Sequence, residues 1–464
     1  MRWILYNVLF AIAYAAMMPK FLLRMKKRGG YRAHFAERFG RYDPVTARRL
    51  AEKPRVWVHA VSVGEANLAG QVLAELRRRD PAASFVLSTT SSTGRAVCEK
   101  LVGPDDVCVY LPLDFPPCVR RALRAANVRA MVLVEAELWP NLLRALHRRG
   151  VPLLLANGRI SDRSAPGYRR LRFFFGPVLR LFDALLVQSE LDRDRLLAAG
   201  APADRTRVTG SIKFDVAPPA PEKIARARET LACAGIVPSA AAPGERSEPE
   251  GVVQHSAFSI QHSPIVLLGG STWPGEELAL ARAWRDALPA CPDARLVLVP
   301  RHFERAAEVA AELESAGFRV LRRSQAAADH QTTRPPDRET VLLVDTTGEL
   351  FALYALSDLV FVGKTLAPNE GGQNMIEPAS LGRATLVGPH TENFKPAMEV
   401  FRREGAVLEV PDADALSREV SRLLSDASAR AALGARAAAA VAGSRGALAR
   451  TCDAIESVLS APRP

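Results

Sequence analysis

Asp358-Leu-Val-Phe-Val362-Gly363-Lys364-Thr-Leu-Ala-Pro-Asn-Glu-Gly371-Gly372-Gln373-Asn374-Met-Ile-Glu377-Pro-Ala-Ser-Leu-Gly382 decides how this chain is read. An apolar, β-branched run ending in glycine has the composition of a strand buried in a parallel sheet. The segment after it opens a helix, and two adjacent glycines let the backbone come close to a ligand. A helix start presents free N–H groups and the positive end of its dipole, so an anion is the expected guest. Asn374 and Glu377 are also spaced as N-cap and N3, so a plain capping box is the competing reading. A cap accounts for those two residues but leaves Lys364 and the glycines unexplained.

Outward from this stretch the same strand-to-helix alternation repeats. Candidate strands run over Arg55–Val61, Ser84–Ser88, Val107–Leu111, Ala130–Val134, Pro152–Ala156, Ala184–Val187 and Arg207–Thr209. A second series covers Ile265–Leu268, Arg295–Val299, Phe318–Leu321, Val341–Val344, Asp358–Val362, Ala384–Val387 and Ala406–Leu408. Short apolar runs separated by helix-length amphipathic segments predict parallel sheets covered by helices, and two such series predict an α/β protein with two Rossmann-like units. Domains are expected at 31–216 and 264–430, joined by a linker at 217–263. Within that linker a helix is expected around Lys223–Ala234, and Ser239–Ser263, rich in Ala, Ser, Pro and Gly, is expected to be disordered. The alanine-rich segment 431–464 is read as a helical tail.

The 464 residues carry a formal net charge of +12 with 48% hydrophobic content, a folded protein suited to anionic partners. No basic run interleaved with aromatics points to nucleic acid. The first residues hold Arg2, Lys20, Arg24, Lys26, Lys27, Arg28 and Arg32 before any acid, and Trp3–Met18 is apolar apart from Asn7. That run is short of the roughly 20 residues of a membrane span. Most of its charge follows rather than precedes it, so an uncleaved anchor at 1–23 with the body on the cytoplasmic side is preferred to a cleaved signal or a buried helix. Six cysteines without a C-x-x-C pair read as free thiols of a reducing compartment. Tyr168–Phe182 places aromatics beside arginines, as a core helix or an interfacial segment would.

Polar residues gather where strands end, the edge at which open α/β sheets bind ligands. His59-Ala-Val-Ser62-Val-Gly64-Glu65 puts Glu65 at a helix start, either in a capping box with Ser62 or as a dipole-stabilised carboxylate able to take a proton. Thr89 opens a hydroxyl-rich loop; Glu135 and Glu137, then Arg159 and Ser161, end the following strands and are candidates to orient an acceptor. In the second unit Gly270, Ser271 and Thr272 precede Trp273-Pro274, Pro300-Arg301-His302 follows the next strand, and Thr347-Gly348 a later one. Arg301 suits a phosphate or carboxylate. Absence of a Walker A or G-x-G-x-x-G motif argues against an ATPase or dehydrogenase. Asp412-Ala-Asp414 has the form of a metal motif but, before a helix, reads as a cap.

His59–Glu65, Glu135–Asn141, Asn157–Ser164, Thr209–Asp215, Ser271–Glu277, Val299–Arg305, Asp345–Leu350, Gly371–Pro378 and Gly388–Phe394 together resemble the bacterial 3-deoxy-D-manno-octulosonic acid (Kdo) transferases of lipopolysaccharide synthesis. The resemblance spans nearly all of the chain apart from Ser239–Ser263. It implies a GT-B glycosyltransferase whose two Rossmann-like domains face a central cleft, anchored at the cytoplasmic face of the inner membrane. It implies inverting transfer of Kdo from CMP-Kdo to the lipid A precursor, with no cofactor and no bound metal. Glu65 matches the motif of the catalytic glutamate. Arg301 and the group Gly371, Gly372, Asn374, Glu377 match donor positions, with Gln373 and Lys364 beside them, and Lys213 is assigned to the sugar acid. Gln373 stands where the family usually has histidine, and Trp273-Pro274 where it has a His-Glu pair. A UDP-sugar transferase of the same fold and an inactive membrane scaffold are the competing functional readings.

Overall fold

The computed structural model describes residues 2–28, 33–135, 138–237, 264–326 and 339–461. Glu137 and the segment Ser239–Ser263 lie outside the described residues. The chain divides into two compact units, Met1–Asp215 with Arg445–Pro464, and Val216–Ser444.

Among the described residues the first unit is built on a seven-stranded sheet: β1 (Arg55–His59), β2 (Phe85–Thr89), β3 (Val107–Tyr110), β4 (Val128–Val134), β5 (Leu153–Gly158), β6 (Ala184–Val187) and β7 (Thr206–Val208). Their order is β3-β2-β1-β4-β5-β6-β7, and neighbours run parallel. Alternation along the strands fills two cores, because successive side chains leave a strand on opposite faces. Trp57, Met131, Leu133, Leu153 and Leu155 join one cluster, while Val56, Val58, Val132, Leu154 and Ala156 join the other. A sheet covered on both faces is why these strands read as unbroken apolar runs.

The second unit repeats the architecture with β8 (Ile265–Thr272), β9 (Ala294–Pro300), β10 (Arg319–Arg322), β11 (Thr340–Leu343), β12 (Leu359–Val362), β13 (Ala384–Val387) and β14 (Leu408–Glu409), in the order β10-β11-β9-β8-β12-β13-β14. β8 continues past the expected end at Leu268 because Gly269 and Gly270 are strand residues lying under other side chains. A Cβ on Gly269 would come 2.6 Å from Leu280, and one on Gly270 would collide with the Tyr354 hydroxyl. Strand order reverses between β1 and β4 in the first unit and between β8 and β12 in the second. Those reversals leave a crevice at the carboxyl ends of the strands.

Within the expected linker, Pro221–Ala232 is a helix that belongs to the second unit. Its Thr230 hydroxyl donates to Glu349 at 2.6 Å and accepts from Arg323 at 2.8 Å. Helices Ala413–Ser425 and Ala427–Ser444 stay with that unit, whereas Ala447–Ser460 packs into the first. Asp215 fastens the latter, its carboxylate accepting the N–H groups of Gly446 at 2.6 Å and Leu448 at 2.7 Å. Asp412 caps its helix through the Ala415 N–H at 2.8 Å, the cap reading of that motif.

Among the described residues no helix is long and apolar enough to cross a membrane. The N-terminal helix Arg2–Arg28 docks on the first unit instead. Its Tyr6 hydroxyl donates to Asp114 at 2.7 Å, Asn141 donates to Asn7 at 2.7 Å, and the Phe10 ring lies 5.0 Å from that of Phe115. Positions 3, 6, 7, 10 and 14 share one helical face, so the opposite face is left outward. Ile4, Leu5, Val8, Leu9 and Ile12 on it are all exposed. Tyr168–Phe182 forms two short helices: Tyr168 stacks on Phe175 and Val178, Leu179 and Phe182 enter the core, while Leu171 and Phe173 are exposed.

Candidate active site

At the first reversal point, Glu65 opens the helix Val63–Arg79 directly after β1. The capping box is present: Ser62 Oγ accepts the Glu65 N–H at 3.2 Å and donates to its Oε1 at 2.9 Å, and the Val61 N–H donates to Oε2 at 2.8 Å. The dipole does not hold this carboxyl low, as the sequence suggested. Burial raises its pKa, the Val61 N–H pulls it part of the way back, and the charge of Glu135 raises it again. A carboxylate with elevated proton affinity is a stronger base.

Glu135 leaves β4 with φ at 62°, in the left-handed region that costs a non-glycine residue about 1–3 kcal/mol. Such strain persists only where surrounding contacts hold it. The Lys213 ammonium is 3.1 Å from the Glu135 carboxylate. Asn157, also left-handed with φ at 54°, accepts the Ile212 N–H at 3.0 Å and so locates the turn that carries Lys213. Lys213, assigned from the resemblance to the donor, therefore lies in the first unit, paired with Glu135.

Other first-unit candidates fall in different places. Thr89 is buried, and its hydroxyl donates to the Val61 carbonyl at 3.1 Å, so it braces the Glu65 turn rather than facing a ligand. Ser161 is half-buried and bonded to Ser164 at 2.9 Å. Arg159 lines a small interior gap with Leu138, Tyr168 and Leu196. His59 is fully buried against Ser88, and burial pushes its pKa down to about 4, so its ring is neutral near pH 7.

At the second reversal point the loop after β8 and the loop after β12 meet on one buried carboxylate. Glu276 Oε1 accepts the N–H groups of Thr365 at 2.8 Å and Leu366 at 3.0 Å; Oε2 accepts those of Lys364 at 2.7 Å and Trp273 at 2.9 Å. Ser271 and Lys364 are left-handed, with φ at 53° and 62°. The Lys364 ammonium sits 4.8 Å from the Trp273 ring centroid, and Trp273 meets His302 edge-on at 5.4 Å. Arg301 is exposed and tied to the end of β8, its N–H donating to the Thr272 carbonyl at 3.0 Å, while Thr347 and Gly348 are exposed in the loop after β11; Arg301 forms no ion pair among the described residues. Pro300 and Thr272 pair across β9 and β8 and are buried, which makes them scaffold, and Gly270 lies beneath Tyr354.

The opening stretch also departs from its reading. Gly371 and Gly372 have φ of 108° and 74°, the conformations that demand glycine. Their N–H groups are already engaged, Gly371 with the Glu392 carboxylate at 2.8 Å and Gly372 with the Lys364 carbonyl at 2.9 Å. Two free donors for a phosphate are therefore not what the glycines supply here. Burial raises the Glu392 pKa, but its own N–H and that of Gly371 more than offset this, and the net direction is downward. The helix that follows is only Ile376–Ser380. Asn374 accepts the Ile376 N–H at 3.1 Å and donates to Glu377 at 3.0 Å, so the pair is a local cap with Gln373 half-buried beside it.

Glu276, Glu392 and the Trp273 ring were missed as site-forming residues. Glu276 reads as an ordinary first-turn glutamate, and three of its four N–H partners lie 88 to 90 residues away. The only available sign was its place directly after a strand-end turn rich in Gly and Pro.

Two parallel Rossmann-like sheets with polar residues collected at their reversal points define the α/β GT-B fold of glycosyltransferases. A glycosyltransferase from Rickettsia africae has this fold, with a TM-score of 0.54 over 88% of this chain and 100% of that one at 13% identity. The family model of 3-deoxy-D-manno-octulosonic-acid transferase (kdotransferase) matches residues 33–216. The 3-deoxy-D-manno-octulosonic acid transferase of Bordetella pertussis is 35% identical over 442 residues, 93% of this chain and 94% of that protein. That of Haemophilus influenzae is 30% identical over 430 residues, 92% of each. The chain belongs to the 3-deoxy-D-manno-octulosonic acid transferase family.

Proposed function

We propose that the chain transfers Kdo from CMP-Kdo to the lipid A precursor in lipopolysaccharide core synthesis, with Glu65 as general base. Family membership supports the reaction, and one observation carries the assignment of the base: a carboxylate of raised proton affinity stands at the first reversal point beside a second, lysine-paired carboxylate. Glu65 removes the proton from the acceptor's primary hydroxyl as its oxygen bonds to the anomeric carbon of Kdo. The bond from that carbon to the CMP phosphate breaks on the opposite side, inverting the centre, and CMP leaves with the electron pair. Arg301 and Lys364 balance the phosphate charge, and His302, Thr347, Gly348, Gln373 and Asn374 surround the nucleotide. Charge developing on a leaving group is where fixed cations contribute most to rate.

The outward row Ile4, Leu5, Val8, Leu9 and Ile12 supports membrane attachment. A helix docked by one face and apolar on the other lies in the interface rather than across it. Leu171 and Phe173 extend the apolar surface available to lipid, which keeps the enzyme at the inner leaflet where its acceptor resides.

The deciding experiment is the product mass after incubation with CMP-Kdo and a tetra-acylated lipid A precursor, with UDP-sugars as parallel donors. Addition of Kdo is expected from CMP-Kdo alone; transfer from a UDP-sugar instead would overturn the donor. Glu65→Ala should reduce transfer by about 10²–10⁴-fold, and near-parental activity in a folded variant would remove Glu65 from the role.

A further inference from the structure

The backbone at position 364 does not call for a lysine. The turn after β12 holds Lys364 in a left-handed conformation that glycine would adopt without strain. The surrounding backbone is crowded: a Cβ on Gly363 would lie 2.6 Å from the Ser271 carbonyl oxygen and from the Thr272 Cα. Trp273 and Lys364 share one acceptor, Glu276 Oε2, which takes the N–H of each, and Asn369 adds a second tie between the loops by donating to the Pro274 carbonyl at 3.0 Å. The pair is thereby fixed at its backbones, and the side chains meet with the ammonium 4.8 Å from the indole centroid. His302, edge-on to the indole at 72°, braces the ring from another side. The ammonium also borders the glycine turn, since a Cβ built on Gly371 would lie 3.5 Å from it. A flexible lysine loses most of its rotamer freedom when held at one spot, and an aromatic face is one of the few surfaces that hold a cation without neutralising it.

We propose that Trp273 is a positioning residue for the donor: its indole face parks the Lys364 ammonium against the Gly371 turn, ready for the phosphate of a nucleoside monophosphate sugar. This rests on the second unit's being the CMP-sugar site. A carboxylate in place of the indole would hold the ammonium more strongly but would cancel the charge the phosphate needs. Pre-placing the cation lowers the ordering cost at binding, so the effect falls on donor affinity rather than on the chemical step.

The test is calorimetric titration of CMP into the full chain and into Trp273→Leu, Trp273→Phe, Lys364→Met and the Trp273→Leu/Lys364→Met double variant. Trp273→Leu should bind CMP about three- to tenfold more weakly and Trp273→Phe close to the parent. The double variant should bind no more weakly than Lys364→Met alone, because Trp273 acts through Lys364. The donor KM should follow binding, with kcat changed much less. Lys364→Gly provides a second route: it relieves the left-handed strain, so its melting temperature should equal or exceed the parent's while CMP binding falls. Parental CMP affinity in Trp273→Leu, an unchanged penalty of Trp273→Leu in the Lys364→Met background, or undiminished CMP binding by Lys364→Gly would each overturn the proposal. If the parent itself fails to bind CMP, the donor-site reading falls with it; CMP binding without coupling removes only the role of Trp273.

Discussion

Replacing Glu276 with glutamine tests what holds the loops after β8 and β12 together. Each carboxylate oxygen of Glu276 accepts two backbone N–H groups, from Thr365 and Leu366 on one and from Lys364 and Trp273 on the other. An amide of the same shape presents an NH2 group to one of these pairs, whichever way it is turned. Two buried donors then face a donor, at about 1–3 kcal/mol each, and the remaining bonds lose their charge assistance. The sum is about 2–6 kcal/mol, a large share of the roughly 5–15 kcal/mol that holds a typical domain folded. For a unit of this size each kcal/mol moves the melting temperature by about 2–4 °C, so Glu276→Gln should lower the transition of the second unit by roughly 5–20 °C. Differential scanning calorimetry reads this directly, and CMP titration below the transition should show weakened binding because Lys364 and Trp273 lose their common tether. A Glu276→Gln variant within about 0.5 kcal/mol of the parent, with parental CMP affinity, would refute the stapling argument.

Further outcomes follow from the first unit and from Arg301. A base must be ionised, so transfer is lost as pH falls through the Glu65 pKa. Glu135→Gln removes a charge that raises that pKa and should move the acidic limb of the pH–rate profile to lower pH. Lys213→Met leaves Glu135 uncompensated and should move it to higher pH; two shifts in the same direction would contradict the pairing. Arg301→Ala should weaken CMP binding about tenfold or more by calorimetry, and equal affinity would exclude Arg301 from the phosphate. Asp215→Ala removes the acceptor of two N–H groups at the start of the last helix and should cost about 1–3 kcal/mol in urea denaturation; no loss would show the helix is held by apolar packing alone. Ile4→Ser/Leu5→Ser/Leu9→Ser should abolish sedimentation with anionic phospholipid vesicles while leaving CMP binding intact, and retained sedimentation would remove the N-terminal helix from membrane attachment.

Much of the fold was legible because strands and helices announce themselves over a few residues. Apolar runs in β1, β4, β5, β8, β9 and β12 reflect burial on both faces, and residues such as Asp412 and Ser62 mark helix starts. The Glu65 turn and the Arg301 strand end were identifiable for the same reason: polar residues abruptly following a buried strand are a local signal. The glycine pair was misjudged for a related reason. Sequence shows that Gly371 and Gly372 permit left-handed turns, but it cannot show that Glu392, 21 residues on, takes the Gly371 N–H.

By itself, then, the sequence determined two α/β units, the strand-end loops that carry chemistry, and a family resemblance resting on many short motifs in order. Tertiary structure decided which of those loops become neighbours. Strand order brought β1 beside β4 and β8 beside β12; the first adjacency lets Glu135 act on Glu65 and the second gathers Trp273 and Lys364 onto Glu276, while the turn after β7, held by Asn157, brings Lys213 to Glu135. Hydrogen bonds and ion pairs act over about 3 Å regardless of separation along the chain. Local pattern can therefore place a residue at the edge of a sheet, while the partner that sets its role depends on how the whole sheet is ordered.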